Sequence, residues 1–213
     1  MSSTRRGLAM VLLFGVMASA PAIGEVGTAA ERLVEELGRL KSLDAAFEQV
    51  VVDARGRVME RTRGHVLAQR PGRFRWISDP PFAQQLTSDG KTLWFYDPDL
   101  EQVTVRPVDD ALMNTPALLL SGDIKRVVKA FDVSLEVDTE DYLEFELTPR
   151  DEGSLFETLL FAFDARQPTR LEIVDALGQR TRIYFTEFTA NPLLEASSFE
   201  FEIPPGVDVI RGR

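Results

Sequence analysis

Gln84-Gln85-Leu86-Thr87-Ser88-Asp89-Gly90-Lys91-Thr92-Leu93-Trp94-Phe95-Tyr96 reads as two short strands joined by a tight turn. Thr92 to Tyr96 is rich in aromatic residues that suit a half-buried strand, and Asp89-Gly90 supplies the positive φ that a hairpin turn demands. The same pattern extends to both sides. Residues 47–52, 58–68 and 74–78 before it, and 102–106 after it, are β-rich runs. Asp53-Ala54-Arg55-Gly56 and Asp97-Pro98-Asp99 separate them as turns. Strands so closely spaced pair with their sequence neighbours, so a meandering antiparallel sheet is expected.

Two segments break the β pattern. Thr28 followed by Glu31 has capping-box spacing, and Ala30, Leu33, Val34, Leu37 and Leu40 then recur at helical steps, with Glu31, Arg32, Glu35, Glu36 and Arg39 on the other side. Residues 109–131 read as two short helices. Ala111-Leu112-Met113 is followed by a break at Pro116, the run Ala117 to Leu120, and then Ile124, Val127, Val128 and Phe131. Strands are expected again at about 133–137, 142–148, 156–163, 170–174, 180–188 and 199–202. The fold class is therefore mainly β (α+β).

The chain has 213 residues, 44% of them hydrophobic, one histidine and no cysteine. Arg5 and Arg6, an apolar stretch over 8–17, and the small residues Ala18, Ser19, Ala20 and Ala22 form the three parts of a secretory signal. The apolar stretch is shorter than the ~20 residues that a membrane-spanning helix needs. Pro21 disfavours cleavage directly after Ala20, so residues 1–24 are expected to be removed by a cut near Ala22 or Gly24. That leaves one domain over 25–213. Without cysteine it has no lipid-anchored N-terminus and no disulfide, and a soluble monomer in the periplasm is expected. Loss of the two arginines takes the formal charge from −10 to about −12, which argues against nucleic acid or anionic lipid surfaces as partners.

Catalytic and metal-binding signatures are scarce. The sequence has no cysteine nucleophile, no Gly-x-Ser-x-Gly elbow and no phosphate-cradling glycine loop. His65, the only histidine, follows Gly64 on a strand and has no identifiable nucleophile to serve, so it reads as structural or superficial. Asp97, Asp99 and Glu101 have the alternating spacing that opens a calcium loop. Gln102 and Val108 then occupy the positions where that loop needs glycine and a bidentate glutamate, so a solvated turn is the better reading. No catalytic residue, metal or cofactor is expected. Fourteen phenylalanines, Phe145, Phe161, Phe163 and Phe185 among them, by composition alone suit a filled core. Periodicity does not say whether the face they form encloses a void.

Two stretches are more specific: Gly64-His-Val-Leu-Ala-Gln-Arg-Pro-Gly-Arg-Phe-Arg-Trp76 and Ser88-Asp-Gly-Lys-Thr-Leu-Trp-Phe-Tyr-Asp-Pro98. With Phe47-Glu48-Gln49, Glu101-Gln102, Asn114-Thr115-Pro116 and the ending Phe199-Glu-Phe-Glu-Ile-Pro-Pro-Gly-Val207, they resemble the outer-membrane lipoprotein carrier family, LolA. The resemblance covers essentially the whole mature chain and is weakest between Asp123 and Phe156. It implies an incomplete antiparallel β-barrel with an N-terminal helix and a helical lid over an apolar cavity. It also implies a periplasmic chaperone that takes acylated lipoproteins from an ATP-driven release complex in the inner membrane and delivers them to an outer-membrane lipoprotein acceptor.

Under that resemblance Leu33, Leu37, Leu40, Phe47, Phe74, Trp76, Phe95, Leu118, Leu119 and Leu120 are the expected cavity lining. Arg70 stands where the family keeps an arginine bonded to backbone oxygens of the lid, here about residues 115–122. Three other readings remain at this point: a carrier of the same fold for another acylated lipid or glycolipid, a lipid-sensing regulator, and a lipid-directed enzyme.

Overall fold

A computed structural model describes residues 28–108 and 117–212, with the side chains of the second stretch described from Leu119. Helix α1 (Ala29–Arg39) leads into six strands: β1 (Ser42–Val52), β2 (Val58–Gln69), β3 (Arg73–Ser78), β4 (Gln84–Asp89), β5 (Thr92–Asp97) and β6 (Gln102–Pro107). Helices α2 (Ala117–Ser121) and α3 (Ile124–Ala130) follow. The second run of strands is β7 (Phe131–Asp138), β8 (Tyr142–Pro149), β9 (Thr158–Asp164), β10 (Gln167–Val174) and β11 (Arg180–Ala190), and β12 (Asp208–Arg211) ends it. All twelve form one sheet in the order β12-β6-β5-β4-β3-β2-β1-β11-β10-β9-β8-β7. Its two end strands do not pair with each other, so the barrel is incomplete.

Alternation sets the two faces. Leu43, Ala45 and Phe47 of β1 point inward, as do Leu143, Phe145 and Leu147 of β8, and all six are buried. Against this face α2 lies on β2 and β3, while α1 packs on α3 and β7. Leu33, Leu37, Leu119, Leu120 and Val127 from the three helices join the strand residues in one continuous apolar cluster. The outer face is held by ion pairs: Glu172 on β10 lies 2.8 Å from Arg180 and 3.2 Å from Arg182. Burial raises the pKa of that carboxyl, but the hydrogen bonds from Arg180 and Arg182 more than offset this and leave it below the usual carboxylate range.

Helix α1 begins as its spacing implies. Glu31 N donates to Thr28 Oγ1 at 3.2 Å, and Thr28 N donates to Glu31 Oε2 at 2.7 Å. Thr28→Ala removes one half of this reciprocal cap, so a loss of ~1 kcal/mol is expected. An unchanged midpoint in urea unfolding would contradict it. The face of α1 differs from expectation in two residues: Val34 is exposed, and Glu36 is fully buried. The buried carboxylate is tolerated because Arg32 and Arg39 approach it at 3.8 Å from the helix and Arg166 at 3.3 Å from the β9–β10 turn.

Two boundaries also move. Phe131, expected on the second lid helix, caps α3 and opens β7. The strand expected at 199–202 is absent; a 3-10 helix, Ala196–Phe199, lies against β3 and β4 instead. Phe199 is buried there and Phe201 sits 6.2 Å from Trp94 and 6.0 Å from Tyr96. The segment spends its aromatic side chains on the outer face of the sheet. Only past Pro204-Pro205, which donate no amide, does β12 form, and it pairs with β6 in parallel.

Candidate functional site

The inward face near β2 and β3 is built around a missing side chain. Gly64 on β2 is opposite Phe47 on β1, whose ring lies over the position that a Cβ would occupy. That ring in turn lies 4.2 Å from the ring of Trp76 on β3, tilted by 32°. Phe74, two residues earlier, is buried on the same face. The aromatic layer thus depends on one glycine for its close approach.

Of the residues expected to line a cavity, Leu33, Leu37, Phe47, Phe74, Leu119 and Leu120 meet in the apolar cluster, with Trp76 packed against it. Leu40 is buried at the α1–β1 junction but stands outside that cluster. Phe95 points inward from β5 opposite Leu86 and is only half-buried, apart from the others. The side chain of Leu118 lies outside the described residues, as do Thr115 and the rest of 109–116, and the signal segment 1–24.

Arg70, at the end of β2, reaches across to the helices. Its Nε donates to Leu40 O at 3.1 Å, Nη2 to Leu119 O at 2.5 Å, and Nη1 to Gly122 O. The guanidinium therefore gathers carbonyls from the α1–β1 junction, from α2 and from the residue after it. A carbonyl at the end of a helix lacks an intrahelical donor, and a planar fork of N–H groups is suited to several at once. Burial pushes the Arg70 pKa down to about 10, against the opposing pull of Asp123. The group stays charged at neutral pH, and its desolvation subtracts from the gain in hydrogen bonding.

The backbone half of this arrangement is not among the expectations drawn from the sequence. Gly72 N donates to Ser121 O at 2.7 Å, and Arg70 N to Lys41 O at 2.9 Å. Gly72 has φ +76°, which its lack of a Cβ permits. A glycine directly after Arg70-Pro71 was the available signal.

The residues weighed for chemistry lie elsewhere. His65 Nε2 is 2.8 Å from Asp44 Oδ1 on the outer face, with both side chains substantially exposed. Asp97 Oδ1 accepts the amides of Asp99 and Leu100 at 3.1 Å, so the acidic run forms a self-bonded turn.

The model for the outer membrane lipoprotein carrier protein LolA matches residues 38–202. An outer-membrane lipoprotein carrier protein of Pseudomonas paraeruginosa is 39% identical over 195 residues, covering 92% of this chain and 93% of its own. Its counterpart in Azotobacter vinelandii is 41% identical over 181 residues, covering 85% and 87%. A solved LolA superfamily protein from Nitrosomonas europaea shares the fold at a TM-score of 0.50 and 16% identity, over 82% of this chain and 99% of its own. Likeness of this extent, on an open sheet whose inward face is covered by helices, makes the chain a member of the outer membrane lipoprotein carrier protein LolA family.

Proposed function

We propose that the protein is a periplasmic chaperone that shelters the acyl chains of lipoproteins between the inward face of its sheet and the α2–α3 lid. The observation that carries this reading is that α2 covers an apolar face while being held through hydrogen bonds from Arg70 and Gly72. Polar bonds of that kind can be exchanged one for one with water, and the apolar contacts of Leu119 and Leu120 that opening would break are replaced by contacts with the acyl chains of the cargo. A face that opens gives acyl chains a destination. Each methylene sheltered is worth ~0.8 kcal/mol, so a lipoprotein leaves a bilayer only when a comparable apolar site receives it.

The cargo reaches it from an ATP-driven release complex in the inner membrane and leaves for an outer-membrane lipoprotein acceptor. The working form is a monomer made by removal of residues 1–24 near Ala22 or Gly24. No cofactor or catalytic residue takes part, and the direction of transfer follows from relative affinities. Purified protein incubated with spheroplasts is expected to bring newly made lipoproteins into the soluble fraction. Lipoproteins that stay with the membrane would refute the proposal. An apolar fluorescent probe should likewise be displaced by an acylated peptide and left in place by the same peptide without its acyl chains.

A further inference from the structure

Ser88, the first residue of the Ser88-Asp89-Gly90-Lys91 turn signal, is not among the hydrogen-bond partners of the Arg70 guanidinium. It pairs with Phe74 on β3 and Leu93 on β5, so it shares their inward face, and it is completely buried between apolar neighbours. A hydroxyl in such a place is costly unless bonded. Its bonds are specific: Oγ donates to Gly72 O at 2.7 Å and accepts from Gly90 N at 3.1 Å. One side chain therefore ties the β2–β3 turn to the β4–β5 turn. The two backbones are close enough that a Cβ on Gly72 would lie 3.3 Å from Gly90 Cα.

The Gly72 that Ser88 holds by its carbonyl is the residue whose N–H meets Ser121 O at the end of α2. With φ at +76°, that glycine has wide conformational freedom in the absence of a partner, and the aim of its N–H depends on what fixes its carbonyl. The other side of the β4–β5 turn serves the same region: Lys91 O accepts the amide of Val108, the last described residue before the lid segment.

We propose that Ser88 is a positioning residue of the lid, fixing Gly72 so that its backbone N–H forms a second latch on Ser121 O, separate from the Arg70 guanidinium. The inference rests on the reading of α2 as part of a lid that opens for cargo. It goes further in assigning lid closure to two devices, of which substitution at Arg70 removes only one. The Ser-Asp-Gly motif then has a role beyond making a hairpin. Its serine senses the geometry of the neighbouring turn.

The test is amide exchange of the empty, full mature chain, followed residue by residue by NMR. Ser88→Ala is expected to speed exchange at Gly72 roughly fivefold or more, the ratio set by losing one ordinary hydrogen bond. Ser88→Thr, which keeps the hydroxyl, should restore slow exchange. Ser88→Cys keeps the volume with a weaker donor and should fall between, and it serves where alanine costs too much stability. Ile183→Val, a core truncation on β11, controls for general loss of stability. Wild-type exchange at Gly72 in Ser88→Ala overturns the proposal, and so does equal acceleration by Ile183→Val. Delivery of lipoprotein from carrier to acceptor is measured beside it. Failure of the wild-type protein to deliver would remove the carrier reading while leaving the exchange result to stand or fall alone.

Discussion

Arg70→Leu is expected to leave uptake of lipoproteins from spheroplasts near the wild-type level while lowering their delivery to the outer-membrane acceptor at least about tenfold. The wild-type side chain donates to Leu119 O and Gly122 O in the closed form. Each hydrogen bond from a charged group is worth ~1.5 to 3 kcal/mol, and part of that is cancelled because the guanidinium is buried when the lid is shut. What remains favours the closed, empty state over the loaded one. Cargo has to work against it, so it is held less tightly and passes on more readily. Leucine deletes the bonds and adds apolar surface for acyl chains. Both changes favour the loaded state. The backbone bond from Gly72 to Ser121 survives the substitution, so closure should be weakened and not abolished. Delivery at the wild-type rate by Arg70→Leu would sink the latch.

Most strands were legible because a strand in a meander is bounded by its own turns. The chain turns between Asp53 and Gly56, at Gly90-Lys91 and directly after Asp97, and the strands between these turns agree with expectation to within one or two residues. β1 was read short. It starts at Ser42, five residues before Phe47, because Leu43 and Ala45 alternate inward although serine, aspartate and alanine carry little strand propensity of their own. Tertiary contact overrode it. The ending misled for the opposite reason: Phe199-Glu-Phe-Glu alternates like a strand, yet its phenylalanines pack on the outside of β3, β4 and β5.

The apolar cluster beneath α1 and α2 was legible in its residue types and less so in its connections. Period identifies Leu33 and Leu37 as one face of α1, but it cannot foresee that Glu36 beside them is buried under Arg166 from 130 positions away. Arg70 was marked only by resemblance to the carrier family, since a single arginine at a strand end carries no local signature. The partners it meets are backbone carbonyls, and any sequence presents those. For the same reason Gly72 and Ser88 went unassigned: their contribution lies in where an N–H points, and that is fixed by contacts between turns that are distant in sequence.

Gly64→Ala is expected to destabilise the fold by ~3 kcal/mol, a large effect for the addition of one methyl group. The new Cβ would overlap the backbone oxygen of Ile77 on β3 and lie 2.5 Å from Cζ of Phe47. Of these two clashes the first matters more, because a carbonyl within a strand ladder cannot turn aside without breaking its pairing, whereas an aromatic ring can tilt. Phe47→Leu on its own should cost about 1 to 3 kcal/mol, since it removes the ring that covers Gly64 and packs on Trp76. The double variant distinguishes the two clashes. If the ring were the main obstacle, its replacement by the smaller leucine would make room for the methyl and the double variant would be about as stable as Phe47→Leu alone. With the Ile77 oxygen as the main obstacle, most of the Gly64→Ala loss persists in the Phe47→Leu background, and the urea midpoints of the two single variants combine almost additively. Recovery to the level of Phe47→Leu would show that β3 can yield at this point. The close approach of β2 and β3 would then be a consequence of how Phe47 packs, and not the reason that position 64 is glycine.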